Sequence, residues 1–369
     1  VARLLARLEC RATGHVRRAR RHYGCEVMKK AQGWRVVVVA IGAFALLVLV
    51  AATWLYRDYR HFAGTPLTQT TTHSIDIPRG ATLKSIIVML QARGATHAPE
   101  LYWRALAAGM GVSDRLHAGE YALDPGLTPR TLLSRMAEGR VVQHMFTLVD
   151  GWTFAQVRAA LAQAPKLRHT LQHLSDAQVA QRLGIEAPNP EGWLLPQTYA
   201  YVLGDSDMDV LRRAHAAMQR TLAADWAARA PGLPLQTPYQ ALILASIVEK
   251  ESALASERPR IAGVFVRRLQ IGMKLQTDPS VIYGLGAAYH GAITYKDLQT
   301  DTAYNTYTRY GLPPTPICMP GAPALFAALH PAPGKALYFV ARGNGTHQFS
   351  DTLQEQNAAV AKYILHRQP

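Results

Sequence analysis

The sequence predicts an α+β protein with a single N-terminal transmembrane helix, a small αβ module and a larger mixed α+β domain. Three observations lead there. An uncharged apolar run stands after a basic flank near the N-terminus, short strand-like stretches lead into helices through residues 73–143, and helical periodicity dominates the chain beyond residue 143. At 369 residues, with apolar side chains near half of the total, the chain is long enough for two folded modules and has the composition of a protein with a real core.

The formal charge is +15, and it is unevenly spread. Residues 1–35 hold ten Lys and Arg against two acids, a net of +8, which leaves +7 for the rest of the chain. A basic protein invites a nucleic-acid reading. Here the densest basic cluster precedes Val36 to Leu55, a run of twenty residues without a charge, and that placement argues for a lipid bilayer as partner and for no nucleic acid. At ~1.5 Å per residue such a helix spans a hydrocarbon core of ~30 Å. Trp34, Trp54 and Tyr56 stand where interfacial aromatics belong. The Lys/Arg excess keeps residues 1–35 in the cytoplasm and places the chain beyond the span outside. The run is longer than the apolar region of a signal peptide, so an anchor at 36–55 is expected rather than a cleaved leader.

Cys10 and Cys25 precede the span and only Cys318 lies beyond it. No disulfide can form within the exported part and no cysteine zinc cluster can be built, so stability is expected to come from core packing. The sequence opens on Val, and Met28-Lys29-Lys30 leads directly into the apolar segment. Residues 1–27 are Arg-rich without apolar periodicity, and translation is expected to begin at Met28.

Residues 56–72 read as a linker, because Thr68-Gln69-Thr70-Thr71-Thr72 has no periodicity. A strand–Gly–x–Thr–helix theme then occurs three times. Ile75-Asp76-Ile77 turns at Gly80 into a helix capped by Thr82, with Leu83, Ile86, Ile87 and Leu90 on one face. Tyr121-Ala122-Leu123 leads through Gly126 to Thr128, with Pro129 at the first helical position, and Phe146-Thr147-Leu148 leads through Gly151 to Thr153. The spacings are unequal, so no solenoid is expected. Gly80-Ala81-Thr82-Leu83 and its apolar helix resemble a LysM-like glycan-binding module, although Ala81 stands where that motif has Asp. Residues 73–143 are expected to be LysM-like in shape.

Residues 144–369 form the larger domain. Helical patterns cover 153–163, 176–184, 207–228 and 238–252; the stretch 311–334 is rich in Pro and Gly. Leu337 to Ala341 reads as a buried strand with a Gly343-Asn344-Gly345 turn after it.

The helix opening at Thr237-Pro238 carries the chemistry. Its apolar stripe runs through Leu244, Ile247 and Val248, and Glu251 is the next position on it. Desolvation on that face and the negative end of the helix dipole both favour the protonated acid, and a carboxylic acid that is uncharged near neutral pH can protonate a glycosidic oxygen. The competing structural use of Glu251 is a salt bridge to Arg258 or Arg267. Glu249 lies about 200° around the wheel and is not expected to share a bond with Glu251. Asp278, ahead of Pro279 in an expected loop, is the rival acid.

Beyond this, Leu244-Ala245-Ser246-Ile247-Val248-Glu249-Lys250-Glu251-Ser252, Ala255-Ser256-Glu257-Arg258, Val264-Phe265, Arg268-Leu269 and Gly272-Met273-Lys274-Leu275-Gln276-Thr277-Asp278-Pro279-Ser280-Val281-Ile282-Tyr283-Gly284 resemble the endolytic murein transglycosylase, or YceG-like, family. Further matches are Glu191-Gly192-Trp193, Pro196 with Thr198-Tyr199, Thr302-Ala303-Tyr304-Asn305-Thr306-Tyr307, Gly311-Leu312-Pro313-Pro314, Pro320-Gly321, and His347 with Phe349 before Asn357. Departures are Gln197 for an acidic residue, Thr315 for Gly and Gln356 for His.

The resemblance implies an endolytic lytic transglycosylase of the inner membrane. It would cleave MurNAc–GlcNAc β-1,4 bonds within peptidoglycan strands, leave 1,6-anhydro-MurNAc ends and terminate nascent glycans beside peptidoglycan synthases. Glu251 would act first as acid and then as base, without cofactor or metal. Ser252, Glu191, Gln276, Thr277, Asp278, Tyr283, Tyr304, Asn305 and Tyr307 supply the amide, hydroxyl, carboxylate and aromatic groups that suit sugar binding. His347 is read as structural, with no second His or Asp at metal spacing. A membrane-tethered, non-catalytic peptidoglycan-binding scaffold is the alternative, and a lysozyme-type hydrolase would need a second carboxylate.

Overall fold

The computed structural model describes residues 34–68, 73–252 and 254–365. The expected start at Met28, the basic lead as far as Gly33 and residues 69–72 of the expected linker lie outside the described residues. The chain divides into two compact units, Val1–Arg140 and Val141–Pro369.

In the first unit, helix α1 (Trp34–Gly64) contains the apolar run and is long and apolar enough to cross a membrane. It continues past Leu55 into the stretch read as linker, which is therefore helical through Gly64. The continuation has a partner. Tyr59 and Phe62 pack on Tyr102 with ring centroids at 6.0 and 5.7 Å, and Phe62 meets Trp103 at 5.3 Å. Tyr102 Oη donates to Asp58 at 2.7 Å, and Ala63 is buried. Aromatic burial at helical spacing outweighs the weak local signal that suggested a tether.

That unit continues as β1 (Ser74–Ile77), α2 (Leu83–Ala92), α3 (Glu100–Met110), β2 (Gly119–Ala122) and α4 (Pro129–Ala137). The strands pair antiparallel, with Ile75 opposite Tyr121. Ile75, Ile86, Leu90, Trp103, Tyr121 and Leu132 are fully buried between them.

The second unit holds β3 (His144–Thr147), α5 (Phe154–Ala162), α6 (Asp176–Leu183), β4 (Thr198–Tyr201), α7 (Asp207–Ala227), α8 (Pro238–Glu251), α9 (Arg258–Gln270), α10 (Asp278–Leu285), α11 (Tyr295–Gln299), α12 (Ala322–Leu329), β5 (Tyr338–Ala341), β6 (His347–Ser350) and α13 (Leu353–Tyr363). β3 pairs with β4 and β5 with β6, each antiparallel. One core gathers β3, β4, α5 and the start of α7; the other surrounds α8 with α9, α12 and the rest of α7.

All three strand–Gly–Thr–helix junctions form. Thr82, Thr128 and Thr153 accept from the backbone N–H of Ser85, Thr131 and Gln156 at 3.2, 3.2 and 3.4 Å. Gly80, Gly126 and Gly151 take φ of 80°, 84° and 75°, where a side chain would be strained. The Pro/Gly-rich stretch 311–334 contains α12, whose Ala324, Leu325, Ala328 and Leu329 are core residues. One expectation is corrected here: strand β5 is half-buried rather than buried.

Candidate active site

Helix α8 starts as its sequence dictates, with Thr237 accepting from Gln240 N and Pro238 in the first turn. Residues 241–249 are then buried on every side, so α8 is a core helix rather than an amphipathic one. The stripe that pointed to Glu251 is therefore only part of an apolar surround. Ser246 spends its hydroxyl inside the core, donating to Ile243 O and accepting from Ile317 N. Cys318, also buried, donates its thiol to Ser246 O at 3.3 Å.

Glu251 ends the helix and keeps partial access to solvent. Its Oε1 accepts from Thr277 Oγ1 at 2.5 Å. Burial raises its pKa to about 7; the Thr277 hydrogen bond opposes this, the charge of Asp278 adds to it, and His347 and Arg268 oppose it. Neither expected salt bridge is the one that forms. Arg258 Nη2 pairs with Glu249 Oε1 at 2.7 Å, and Gly321 N donates to Glu249 Oε2 at 3.0 Å. Arg267 donates to the carbonyls of Ala336 and Ala332. The two glutamates thus have separate surroundings, and Glu249 is a buried, ion-paired residue.

Thr277 is buried at the end of a short connection from α9, its N–H donating to Thr306 Oγ1 at 3.0 Å. Gln276 before it is exposed, with φ of 48°, and its N–H donates to Thr306 O. Asp278 does not lie in the expected loop. It is the first residue of α10, because Pro279 suits a first helical turn. Its Oδ1 accepts from Tyr307 Oη at 2.5 Å, and burial, then that bond, push the phenol of Tyr307 well above its ordinary range.

The other residues expected to meet a glycan are engaged within the fold. Ser252 donates to Leu254 O at 3.0 Å and is buried. Asn305 donates to the carbonyls of Asp297, Leu298 and Thr300 and accepts from Tyr307 N, which organises its own loop. Glu191 accepts Phe154 N at 3.0 and 3.1 Å at the start of α5, and Tyr283 Oη at 3.1 Å. Burial raises its pKa to about 7. Tyr283 and Tyr304 meet edge to face at 4.9 Å, and Tyr304 shares a hydrogen bond with Thr315. Of the departures from the family pattern, Thr315 thus serves Tyr304, and Gln356 donates to Phe339 O.

From the sequence alone Arg268 and Glu257 have no assigned role and His347 a structural one. Arg268 is buried and donates to Leu337 O and Leu275 O at 2.7 and 2.6 Å. Glu257 and His347 pair at 2.7 Å. All three stand in the stretches that resemble the family, which was the available signal.

Residues 75–362 match the YceG-like family. A Bacillus subtilis protein named endolytic murein transglycosylase is 30% identical over 311 residues, covering 80% of this chain and 85% of that protein. A Streptococcus pneumoniae protein of the same name is 25% identical over 333 residues, covering 79% of this chain and 58% of its own length. A solved structure of a YceG-like protein from Listeria monocytogenes, 29% identical, matches with a TM-score of 0.50 over 78% of this chain and 99% of that one.

The ion pair and the raised carboxyl can each be measured. Removing one partner of a buried ion pair typically costs about 3–5 kcal/mol. Arg258→Ala should therefore lower the denaturation midpoint, and Glu249→Gln, which can still accept from Gly321, should lower it less. Unchanged midpoints in urea would show that the pair contributes nothing. The second prediction concerns pH. The carboxyl of Glu251 moves from an ordinary 4.5 to about 7 on folding, so its stabilising contribution is complete below about 4.5 and is lost as pH rises through about 7. Glu251→Gln removes that loss. Relative to wild type, the variant should melt higher at about pH 8 than at about pH 4. A difference in melting temperature that does not change with pH would contradict the raised value.

Proposed function

The chain belongs to the YceG-like family, and from that premise we propose that it is a membrane-anchored lytic transglycosylase that cuts peptidoglycan strands internally. The observation that carries this reading is the carboxyl of Glu251: largely desolvated, held by Thr277, and with its pKa raised to about 7, so that acid and carboxylate are both populated near neutral pH. Such a group can serve one bond twice. It gives its proton to the leaving oxygen of a MurNAc–GlcNAc bond. The 6-hydroxyl of the same MurNAc then attacks the anomeric carbon and passes its proton to the Glu251 carboxylate. The ring closes as 1,6-anhydro-MurNAc, the acid is restored, and water is not consumed. Cutting within nascent strands would end their elongation, next to the synthases that build them. The exposed side chain of Gln276 and the aromatic and polar groups about Asp278 and Tyr307 are the glycan contacts this reading favours, while Glu191, Asn305 and Ser252 position the walls. The LysM-like shape of the module at 73–143 suits a second glycan contact.

One observation favours a second reading. Asp278 supplies a carboxylate close enough for its charge to act on Glu251, and a hydrolase needs two carboxylates. The products decide. Glu251→Gln should lose on the order of 10²–10⁴ in rate on purified sacculi while remaining folded. Mass spectrometry of wild-type digests should find 1,6-anhydro ends. Reducing ends would identify a hydrolase, and near-normal cleavage by Glu251→Gln alongside an inactive Asp278→Asn would move the acid to Asp278.

The basic lead and α1 support a single-pass topology, with residues 1–35 cytoplasmic and both modules outside. A reporter fused after Pro369 should be active only outside the cytoplasm; cytoplasmic activity would reverse the orientation.

A further inference from the structure

The reaction proposed for Glu251 accounts for one bond, whereas a strand that is cut internally runs on past the site in both directions. A row of outward side chains leads away from the acid. Between α9 and the start of α10 the chain alternates: Leu275 and Thr277 are buried, Gln276 and Asp278 are exposed, and Lys274 is half-buried. Thr277 is the residue bonded to Glu251, so Gln276 and Lys274 stand one and three residues before it on the outer side. Three residues of backbone span at most about 11 Å.

Lys274 reaches Tyr310. Its Nζ lies 5.0 Å from the ring centroid, within the range of a cation–π contact. The ammonium braces the ring, and 71% of the Tyr310 surface is left to solvent. A single exposed aromatic residue is ordinary. This one is pinned from both sides. Arg268 donates to the carbonyls of Leu275 and Lys274 at 2.6 and 3.4 Å, and Gln276 N donates to Thr306 O at 3.1 Å. Arg309, immediately before Tyr310, pairs its Nε and Nη2 with the two oxygens of Asp301 at 2.9 and 3.0 Å. The N–H of Arg309 also donates to Asn305 O at 2.9 Å, closing a turn that contains Thr306. Thr306 Oγ1 accepts the N–H of Thr277. One turn of chain therefore fixes both the residue that holds the acid and the ring at the far end of the row.

We propose that Tyr310, braced by Lys274, is a stacking platform for a sugar ring away from the bond that is cut, and that it makes the enzyme favour long glycan strands over short fragments. The proposal rests on reading this site as one that cuts peptidoglycan strands. A tyrosine ring offers an apolar face to the C–H face of a pyranose and a hydroxyl to its polar edge. Gln276 adds an amide donor and acceptor between the ring and the acid. A fragment too short to reach Tyr310 from Glu251 gains nothing from the platform, whereas a long strand is held at two points and presents an internal bond. Tyr310 stands between two stretches that resemble the family and belongs to neither.

The test uses the full-length protein in detergent and peptide-free glycan strands released from sacculi by an amidase. The strands are separated into long ones and the shortest that wild type cleaves, and kcat/KM is measured on each. Tyr310→Ala should lower kcat/KM on long strands about three- to tenfold, through KM, and should lower the long-to-short ratio with it. Truncating so exposed a ring opens no cavity, so the variant folds. Tyr310→Trp should restore the ratio, because another aromatic face can stack. Lys274→Met keeps the stem without the ammonium and should lower the ratio by less. Tyr295→Ala, which removes a ring 77% exposed on α11, should leave the ratio as in wild type. An unchanged ratio in Tyr310→Ala, an equal loss on both substrates, a fall confined to kcat, or the same effect from Tyr295→Ala overturns the platform. Strand binding separates this proposal from the reading beneath it. Long strands that wild type binds without cutting would reject the reading of function. Long-strand binding to the Glu251→Gln protein that Tyr310→Ala does not weaken would reject the platform alone.

Discussion

A carboxyl kept partly protonated near neutral pH at the end of a core helix is the constraint around which the second unit is organised. Water would ionise Glu251, so the chain must bring enough protein to its side chain to make the anion costly while leaving one approach open. Helix α8 cannot do this alone, since a helix terminus exposes its last turn. The surround comes from α9 and α12, which bury the body of α8, and from Thr277 at the start of α10. The apolar density of α8, from Ala241 through Val248, is what lets these elements close on it from all sides. The Glu249–Arg258 pair ties the last turn of α8 to the first of α9, so the segment beyond Glu251 leaves at a fixed angle.

That packing explains why so many polar residues of the family pattern point inward. Crossing a core with irregular chain leaves backbone groups that must be bonded. Asn305 takes three carbonyls of the α11 connection, Arg268 those of Leu337 and Leu275, and Glu191 the first N–H of α5. These side chains hold loops in place where no helix or strand ladder can. A polar residue in a family motif is thus as much a sign of irregular backbone beside the site as of ligand contact.

What the sequence made legible was local or periodic. The three glycine turns with threonine caps, the four helical patterns, the apolar span and the position of Glu251 all depend on neighbours a few residues away. What it hid was pairing at long range. Nothing near Glu257 points to His347, ninety residues on, and nothing near Glu251 points to the hydroxyl of Thr277. The amphipathic wheel singled out Glu251 for an incomplete reason, because a helix buried all round has no distinguishing stripe. Glu249 looked peripheral on that wheel, yet Arg258 makes it a buried ion pair. Helix α12 was masked by Pro and Gly at its flanks, although Gly321 and Pro323 are ordinary residues for a helix start. The continuation of α1 was masked differently: the aromatic partners that fold it, Tyr102 and Trp103, lie on another helix.

In the proposed reaction the carboxyl of Glu251 acts as acid and then as base in one turnover, which needs both forms within reach of each other. Full desolvation would leave a permanent acid, unable to accept the 6-hydroxyl proton. Strong pairing with a cation would leave a permanent carboxylate, unable to give one. The surroundings of Glu251 sit between these limits. Burial and Asp278 favour the acid, while the Thr277 hydroxyl, His347 and Arg268 favour the anion, and the balance falls at about 7. The contribution from Thr277 is directional, because its hydroxyl donates to Oε1 and steadies the carboxylate. Arg258, the nearest arginine in sequence, is kept from the acid by Glu249. The buried ion pair thus engages Arg258 with Glu249, and the salt bridge to Glu251 that the sequence also allowed does not form.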